Sequence, residues 1–337
     1  MFQKILVPLD GSPRAEYAIP VAARLAQASG GTVVLLRVAG LPTVFVPYPS
    51  ADPWTIQKII DADVEEAKGY LQSAASGDRL IDAHVETEVI VGTAATTIFS
   101  EAGRFDLIVL CSHGYTGMKR WLLGSVAEKV VHHAPIPVLL LREGGPALVS
   151  AHLQAEGPLR ALIPLDGSAR SQAAIVPAAQ LIAALAAPGP ATLHLTQVVA
   201  LLETTKSGRG EREALMRGAE QYLSATVEHL REELVGGALA DFKLAITWSI
   251  TRDDDIAAGI LRVAEAGEET EDVGVSGSFD LIAMATHGYS GIQRWAMGSI
   301  TERVLHATRL PLLIVRPANM IDRSHQIQEP ASVATLP

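Results

Sequence analysis

The fold is decided by a stretch that the chain contains twice. Residues Phe105–Arg142 read FDLIVLCSHGYTGMKRWLLGSVAEKVVHHAPIPVLLLR, and residues Phe279–Arg316 read FDLIAMATHGYSGIQRWAMGSITERVLHATRLPLLIVR. The two copies are identical at 18 of 38 aligned positions, with no gap between them. While the apolar residues drift, three glycines keep their spacing: Gly114, Gly117 and Gly124 in the first copy, and Gly288, Gly291 and Gly298 in the second. This pattern predicts that the functional site lies at the glycines.

The beginnings of the two halves match as well. KILVPLDGSPR at residues 4–14 pairs with RALIPLDGSAR at residues 160–170, with 7 of 11 residues identical. The copies are 156 residues apart here and 174 apart at the glycines, so the second holds 18 more residues. We expect those in its middle helical region and at 267–278. The sequence thus predicts a domain at 1–142, a linker at 143–158, a second domain at 159–317 and a mobile tail at 318–337.

Composition and charge exclude several classes of protein. The formal net charge of −10, without a basic stripe, argues against nucleic acid as a partner. Cys111 is the only cysteine, which excludes a disulfide framework and a Cys-x-x-Cys metal site. The sequence has no signal-peptide pattern and no run of 18 apolar residues, so we expect no membrane partner and a soluble, cytoplasmic protein.

Hydrophobic patterning predicts an α/β fold with five strands in each half. Short runs rich in Val, Ile and Leu are typical of strands buried on both faces of a parallel sheet. An alternating stretch at residues 84–91 predicts a half-exposed strand, and residues 14–28 carry a helical apolar stripe. The buried strands are predicted at 5–9, 32–38, 107–110 and 137–141, and the second half repeats the order with strands at 161–165, 193–199, 243–249, 281–285 and 310–315.

This alternation of strands and helices implies right-handed crossovers around a mostly parallel sheet. In such sheets ligands bind beyond the carboxyl ends of the strands, where the strand order reverses. The segment Asp10–Ser12 follows the first strand, and Ser112–Ser125 follows the fourth. If the strand order is 3-2-1-4-5, these two segments converge on one crevice.

The glycine segment has the chemistry of an anion-binding loop. Glycines allow backbone N–H groups to approach a phosphate closely, and a helix N-terminus adds free donors and partial positive charge. A simpler interpretation exists for Ser125 and Ser299. Each is followed three residues later by Glu128 or Glu302, which is the pattern of a capping box and needs no ligand.

On these residues the chain resembles a tandem universal stress protein, a family of Rossmann-like α/β domains. Its adenine-nucleotide-binding branch has the pattern Gly-x2-Gly-x9-Gly-(Ser/Thr). The segments Gly114–Ser125 and Gly288–Ser299 match this pattern from its second glycine onward. Cys111 and Ala285 stand where the family has its first glycine. The resemblance covers nearly the whole chain except the linker, the insertion and the tail.

The resemblance implies an ATP site in each half, with Mg²⁺ as a possible companion. Asp10 and Asp166 fall where the family contacts the adenosine, and Val38 and Val198 fall where it packs against adenine. The histidines before the glycine loop are candidate phosphate donors, with a structural role in the loop as the alternative. The nucleotide-binding residues implied are Asp10, Val38, His113, Gly114, Gly117, Gly124, Ser125, Asp166, Val198, His287, Gly288, Gly291, Gly298 and Ser299.

The two sites are not predicted to be equivalent. The second copy has the acidic run Asp253–Asp255 where the first has Gly92–Thr93, and we interpret the run as a negatively charged helix start. The leading hypothesis is a nucleotide-binding sensor or regulator of the stress response. The alternatives are a slow ATPase and an interaction module without nucleotide. The family also pairs domains through the last strand, which predicts intramolecular pairing here and leaves a homodimer open.

Overall fold

The computed structural model describes residues 1–40, 53–112, 123–142, 148, 157–200, 209–267, 277–286 and 297–317. Most of the predicted linker, the predicted tail and most of each glycine loop lie outside these ranges. Within the described residues, each half contains five strands and four α-helices.

The first half alternates strands and helices. Its strands are β1 (Lys4–Leu9), β2 (Thr32–Gly40), β3 (His84–Gly92), β4 (Leu107–Cys111) and β5 (Val138–Leu141). Its helices are α1 (Ala18–Ser29), α2 (Pro53–Ala75), α3 (Ala94–Glu101) and α4 (Ser125–His133). The helix predicted at residues 14–28 is α1, preceded by a 3₁₀ turn at Ala15–Tyr17.

The second half repeats this order. Its strands are β6 (Leu159–Pro164), β7 (Ala191–Val199), β8 (Leu244–Arg252), β9 (Leu281–Ala285) and β10 (Leu312–Val315). Its helices are α5 (Ile175–Ala186), α6 (Arg209–Leu230), α7 (Ile256–Ala266) and α8 (Ser299–Ala307). A π-type segment, Arg231–Ala238, follows α6.

All ten strands form one sheet in the order β3-β2-β1-β4-β5-β10-β9-β6-β7-β8. Each half therefore has the order 3-2-1-4-5, and within each half every pairing is parallel. The halves meet through an antiparallel pairing of β5 and β10, with Leu139 opposite Leu313. The predicted intramolecular pairing through the last strands is thus present.

Two apolar cores cover the faces of the sheet, and each continues from one half into the other. One core packs beneath α1, α2, α5 and α6, and the other beneath α3, α4, α7 and α8. The strands β4, β5, β9 and β10 are almost wholly buried, whereas β3 has no buried residue and is partly exposed along its length, which agrees with the half-exposed strand predicted there. Burial on both faces explains why the central strands show continuous apolar runs.

The sheet registers locate the 18 additional residues. Thr32 pairs with Lys4 and Thr192 pairs with Arg160, so the offset between the halves grows from 156 to 160 before the second strands. It is 161 at the third strands, where His84 corresponds to Ala245, and 174 at the fourth. The prediction of extra residues in the middle helical region was wrong, since that region gains only one. Most of the insertion lies between β8 and β9, as predicted for 267–278.

Candidate functional site

A cavity of about 280 Å³ lies at the carboxyl ends of β1 and β4 in the first half. The two strands are neighbours, and their connections leave on opposite sides, so a crevice opens between them. The wall combines apolar side chains with a few polar groups from the loops after β1 and β4. Among the lining residues are Asp10, Arg37, Val38, Ile98, Cys111 and Ser125.

The loop after β1 is held in one conformation by its own side chains. Asp10 Oδ1 accepts a hydrogen bond from the Ser12 backbone N–H at 2.9 Å, and Ser12 Oγ accepts one from the Ala15 N–H at 3.2 Å. Gly11 between them has φ of 82°, a conformation that favours glycine. The second half reproduces this loop, with Gly167 at φ 83° and Asp166 Oδ1 accepting from the Ser168 N–H at 3.0 Å. The Asp-Gly-Ser motif therefore shapes the cavity rim.

The loop after β4 returns to the sheet at Gly124. The Gly124 N–H donates to the Ser112 carbonyl at 2.7 Å, and the Ser112 N–H donates to the Leu141 carbonyl at 2.8 Å. Gly124 has φ −65° and ψ 144°, the extended conformation of an N-cap, and α4 begins at Ser125. The first N–H groups of α4 have no intrahelical partner, and the residues that carry them line the cavity.

The capping-box interpretation of Ser125 and Ser299 was wrong for this reason. A capping Ser must occupy the N-cap, but the N-caps are Gly124 and Gly298, and each serine is the first residue inside its helix. Glycine has no side chain to accept a hydrogen bond. The helix start consequently keeps donors and partial positive charge on the cavity side, which suits a bound anion.

An equivalent cavity, also about 280 Å³, lies in the second half. Its wall includes Asp166, Val198, Gly298 and Ser299, the counterparts of residues that line the first cavity. The Gly298 N–H donates to the Thr286 carbonyl at 2.7 Å, and the Thr286 N–H donates to the Val315 carbonyl at 2.9 Å. The two cavities therefore share one backbone design.

The side chains of the two walls differ. Ile256 and Thr301 line the second cavity where Ala94 and Ala127 line the first. The Thr301 hydroxyl donates to the Ala285 carbonyl at 3.0 Å, so it is engaged with the strand end. Arg37 brings a guanidinium to the first wall, and its counterpart in sequence is the uncharged Gln197.

The acidic run of the second half is a helix start, as predicted. The Asp255 side chain accepts from the Ala258 N–H at 3.2 Å and caps α7. A hydrogen bond from Arg303, followed by that from Ala258, lowers the pKa of Asp255. The pKa of Asp253 is also lowered, first by the hydrogen bond from the Asp255 N–H and then by Arg262, whose guanidinium is 3.2 Å away. The positive charges of Arg262 and Arg303 therefore offset the negative charges of Asp253 and Asp255.

The two departures from the family's first glycine fit the structure. Cys111 and Ala285 are the last residues of β4 and β9, and neither has a positive φ. A Cβ is compatible with that backbone. Cys111 lies at the wall of the first cavity, with Sγ 4.0 Å from the Ala15 carbonyl.

Six predicted site residues lie outside the described residues. They are His113, Gly114, Gly117, His287, Gly288 and Gly291. The other eight are described, and all line one of the two cavities, four in each. Sequence reasoning missed Arg37, Ile98 and Ile260, which come from β2, α3 and α7. Arg37 directly precedes Val38, and Ile98 and Ile260 lie one turn into their helices, so the neighbourhood of the predicted residues is the signal that would have found them.

Among the described residues, no group of three or more His, Cys, Asp or Glu side chains is arranged to hold a metal ion. None of the helices within the described ranges combines the length and the apolar character that crossing a bilayer requires.

The fold and site define a Rossmann-like α/β protein with two equivalent crevices, one in each half. The sequence model of the Universal stress protein family matches residues 1–142 and again 159–316. The chain therefore belongs to the universal stress protein family and contains its domain twice.

Individual relatives agree with this assignment. A universal stress protein of Mycolicibacterium smegmatis is 25% identical over 318 residues, covering 93% of this chain and 97% of the relative. One from Methanocaldococcus jannaschii is 32% identical over 145 residues, which is 42% of this chain and 84% of the relative. The crystal structure of a universal stress protein from Archaeoglobus fulgidus has a TM-score of 0.62 at 19% identity, covering 93% and 98% of the two chains. That structural likeness concerns the fold.

Proposed function

We propose that this protein binds an adenine nucleotide, ATP, in the two cavities and acts as a sensor or regulator in the stress response. The observation that carries the proposal is the pair of glycine N-caps, Gly124 and Gly298, at the mouths of two similar crevices. A helix start without a capping side chain offers its N–H donors and its dipole to a phosphate chain. The apolar wall beside it suits a purine.

The lining residues have distinct roles in the proposed complex. Val38 and Val198, at the ends of the second strands, pack against the adenine, and Asp10 and Asp166 contact the adenosine. Ser125 and Ser299 begin the helices that receive the phosphates. The glycine loops, with His113 and His287, would complete the phosphate site and hold any Mg²⁺ through the nucleotide. The first cavity is the stronger candidate because Arg37 adds a positive charge to its wall.

We propose a regulator in preference to a fast enzyme. In support of this preference, the sequence contains neither the P-loop pattern Gly-x-x-x-x-Gly-Lys-(Ser/Thr) nor the Gly-x-Ser-x-Gly nucleophile elbow. A slow ATPase and a ligand-free interaction module are the alternatives. We propose a cytoplasmic location, in keeping with the family, and a homodimer would need a surface other than the fifth strands.

The test places a carboxylate at the N-cap. In Gly124→Asp and Gly298→Asp, the new side chain accepts from the first helical N–H groups and puts negative charge where the phosphates would sit. Because aspartate is a better N-cap than glycine, we expect stability to rise by a few tenths of a kcal/mol. Nucleotide binding at the altered cavity should be lost. Native mass spectrometry with added ATP counts the occupied sites, and thermal unfolding reports stability.

The matched control is Gly103→Asp, which adds the same charge at an exposed glycine with no neighbouring atom within 4 Å of a new Cβ. It should leave ATP binding unchanged. If the natively purified protein neither retains nor takes up adenine nucleotide, the interaction-module alternative is correct. A steady-state phosphate-release assay decides the remaining case, since sustained turnover that His113→Ala abolishes would replace the sensor with an ATPase.

A further inference from the structure

Each half ends its fifth strand with an arginine that reaches into the other half. Arg142 follows β5, and its guanidinium donates to the backbone carbonyl of Leu305 near the end of α8. Arg316 follows β10 and donates to the carbonyl of His132 near the end of α4. The two arginines occupy equivalent positions in the repeat, so the contact is reciprocal.

The two guanidinium groups are buried against helix ends. Burial lowers the pKa of Arg142 to about 10 and also lowers the pKa of Arg316. Within the described ranges neither forms an ion pair with a carboxylate. The last carbonyls of a helix carry partial negative charge, which compensates a buried cation. Each arginine thus acts as a C-terminal cap supplied by the opposite domain.

The capped helices are the ones whose N-termini border the cavities. α4 begins at the first cavity and ends at Arg316, while α8 begins at the second cavity and ends at Arg142. A second contact joins the helices, because His132 Nε2 of α4 lies 3.4 Å from a carboxylate oxygen of Glu302 on α8. A displacement of either helix therefore alters contacts with the opposite domain.

Backbone hydrogen bonds close the path into a ring. Gly124, the N-cap of α4, bonds to Ser112, and Ser112 bonds to Leu141, the residue before Arg142. On the other side, Gly298 bonds to Thr286, and Thr286 bonds to the residue before Arg316. The ring runs from the first cavity through Arg142 to α8 and the second cavity, and returns through Arg316 and α4. We name it the arginine ring.

We propose that Arg142 and Arg316 are positioning residues that couple the two nucleotide cavities through the arginine ring. This inference rests on the proposed nucleotide function. A ligand in one cavity fixes its helix start and the hydrogen bonds of that side of the ring. Part of the arginine ring is then already ordered when the second ligand binds. The second ligand therefore loses less free energy to ordering and binds more tightly, so the coupling is positive.

The experiment is a stepwise ATP titration followed by native mass spectrometry. Val38→Trp fills the first cavity with an indole and leaves only the second available, and Val198→Trp does the converse. These variants give the affinity of each cavity alone. In the wild-type protein we expect the second ATP to bind at least about 5-fold more tightly than the corresponding single-cavity value. In the double variant R142M/R316M the ratio should fall to one, while each single-cavity affinity changes much less.

Hydrogen exchange supplies a readout that a purely structural role would not move. In the Val198→Trp protein, ATP in the first cavity should slow amide exchange in α8, and Arg142→Met should abolish that effect. The control is Arg217→Met, which removes an exposed arginine of α6, 63% accessible, and should leave the coupling intact. If the methionine variants fail to fold by circular dichroism, Arg142→Lys and Arg316→Lys replace them.

The outcomes separate the two proposals. If ATP binds to neither cavity, the proposed function fails and the coupling fails with it. If ATP binds to both with the single-cavity affinities, the function stands and the coupling is overturned. Coupling that persists in R142M/R316M would show that the arginines do not carry it.

Discussion

His194 shows how one residue can set a pH limit on stability. Its imidazole is 0% exposed and lies between two hydroxyl groups, with Nδ1 2.7 Å from Thr247 Oγ1 and Nε2 2.8 Å from Ser249 Oγ. Ser249 in turn donates to Thr196 at 3.2 Å. A Ser–His pair can act in catalysis, but this one is closed off from solvent. Its role in the described structure is a satisfied polar network on one face of the sheet.

We predict that stability falls with acid because of His194. Burial first, and then the positive charge of Arg160, lower its pKa to about 4. The folded pKa is below the unfolded value, so the folded state binds fewer protons between these values, and stability declines as pH falls from about 6.5 to 4. The full loss is roughly 3 kcal/mol. Urea unfolding at pH 7 and pH 4 measures it.

The matched variants isolate this contribution from that of the carboxylates. His194→Gln keeps a hydrogen-bonding side chain that does not titrate, so the pH 7 to pH 4 difference should shrink by roughly 3 kcal/mol. His84→Gln, at an exposed position at the start of β3, serves as the control and should leave that difference nearly unchanged. Equal pH dependence in the wild type and His194→Gln would show that His194 does not set the limit.

At the scale of elements, the helix starts separate caps from ligand sites. Asp255 is a real N-cap of α7, and Asp255→Ala should destabilise the protein by about 1 kcal/mol. Ser125 is the first residue inside α4 and does not cap it, so Ser125→Ala should change stability by less than about 0.5 kcal/mol. Chemical denaturation measures both. A loss for Ser125→Ala as large as that for Asp255→Ala would restore the capping-box interpretation.

The sequence predicts the elements better than it predicts the contacts between them. Continuous apolar runs predicted the buried strands, because burial on both faces dictates that pattern directly, and the alternating stretch at residues 84–91 predicted β3 as a partly exposed strand. The capping box failed because Ser-x-x-Glu does not reveal which residue adopts the extended N-cap conformation. Eight site residues line the cavities, since a ligand crevice follows from the strand order.

Contacts that depend on the register between strands could not be predicted from the sequence. The His194 network needs His194 opposite Thr247 across β7 and β8, and no local pattern gives that pairing. The arginine ring likewise needs the antiparallel register of β5 and β10. Arg142 and Arg316 occupy the same position in the two copies of the repeat. The repeat therefore singles them out, but it does not indicate that each caps a helix of the other half.

At the scale of the whole molecule, the two halves form the equivalent of a dimer within one chain. β5 and β10 are buried along their whole length at the centre of the sheet, while β3 and β8 form its two edges. Both apolar cores continue across the seam. Separating the halves would expose an apolar strand edge on each, and such edges tend to pair with another chain.

We therefore predict that residues 1–142 alone form a homodimer through β5. A second copy of β5 can replace β10, because the two strands have similar apolar sequences, VLLL and LLIV. In that dimer Arg142 would cap α4 of the other copy, as it caps α8 in the full chain.

Arg142→Glu would set a negative charge against the partial negative charge of that helix end, so it should weaken the dimer at least about 10-fold. Size-exclusion chromatography with light scattering measures both states, with Arg79→Glu as an exposed control of equal charge change. A folded fragment that stays monomeric would mean that β5 pairing needs the unlike partner strand.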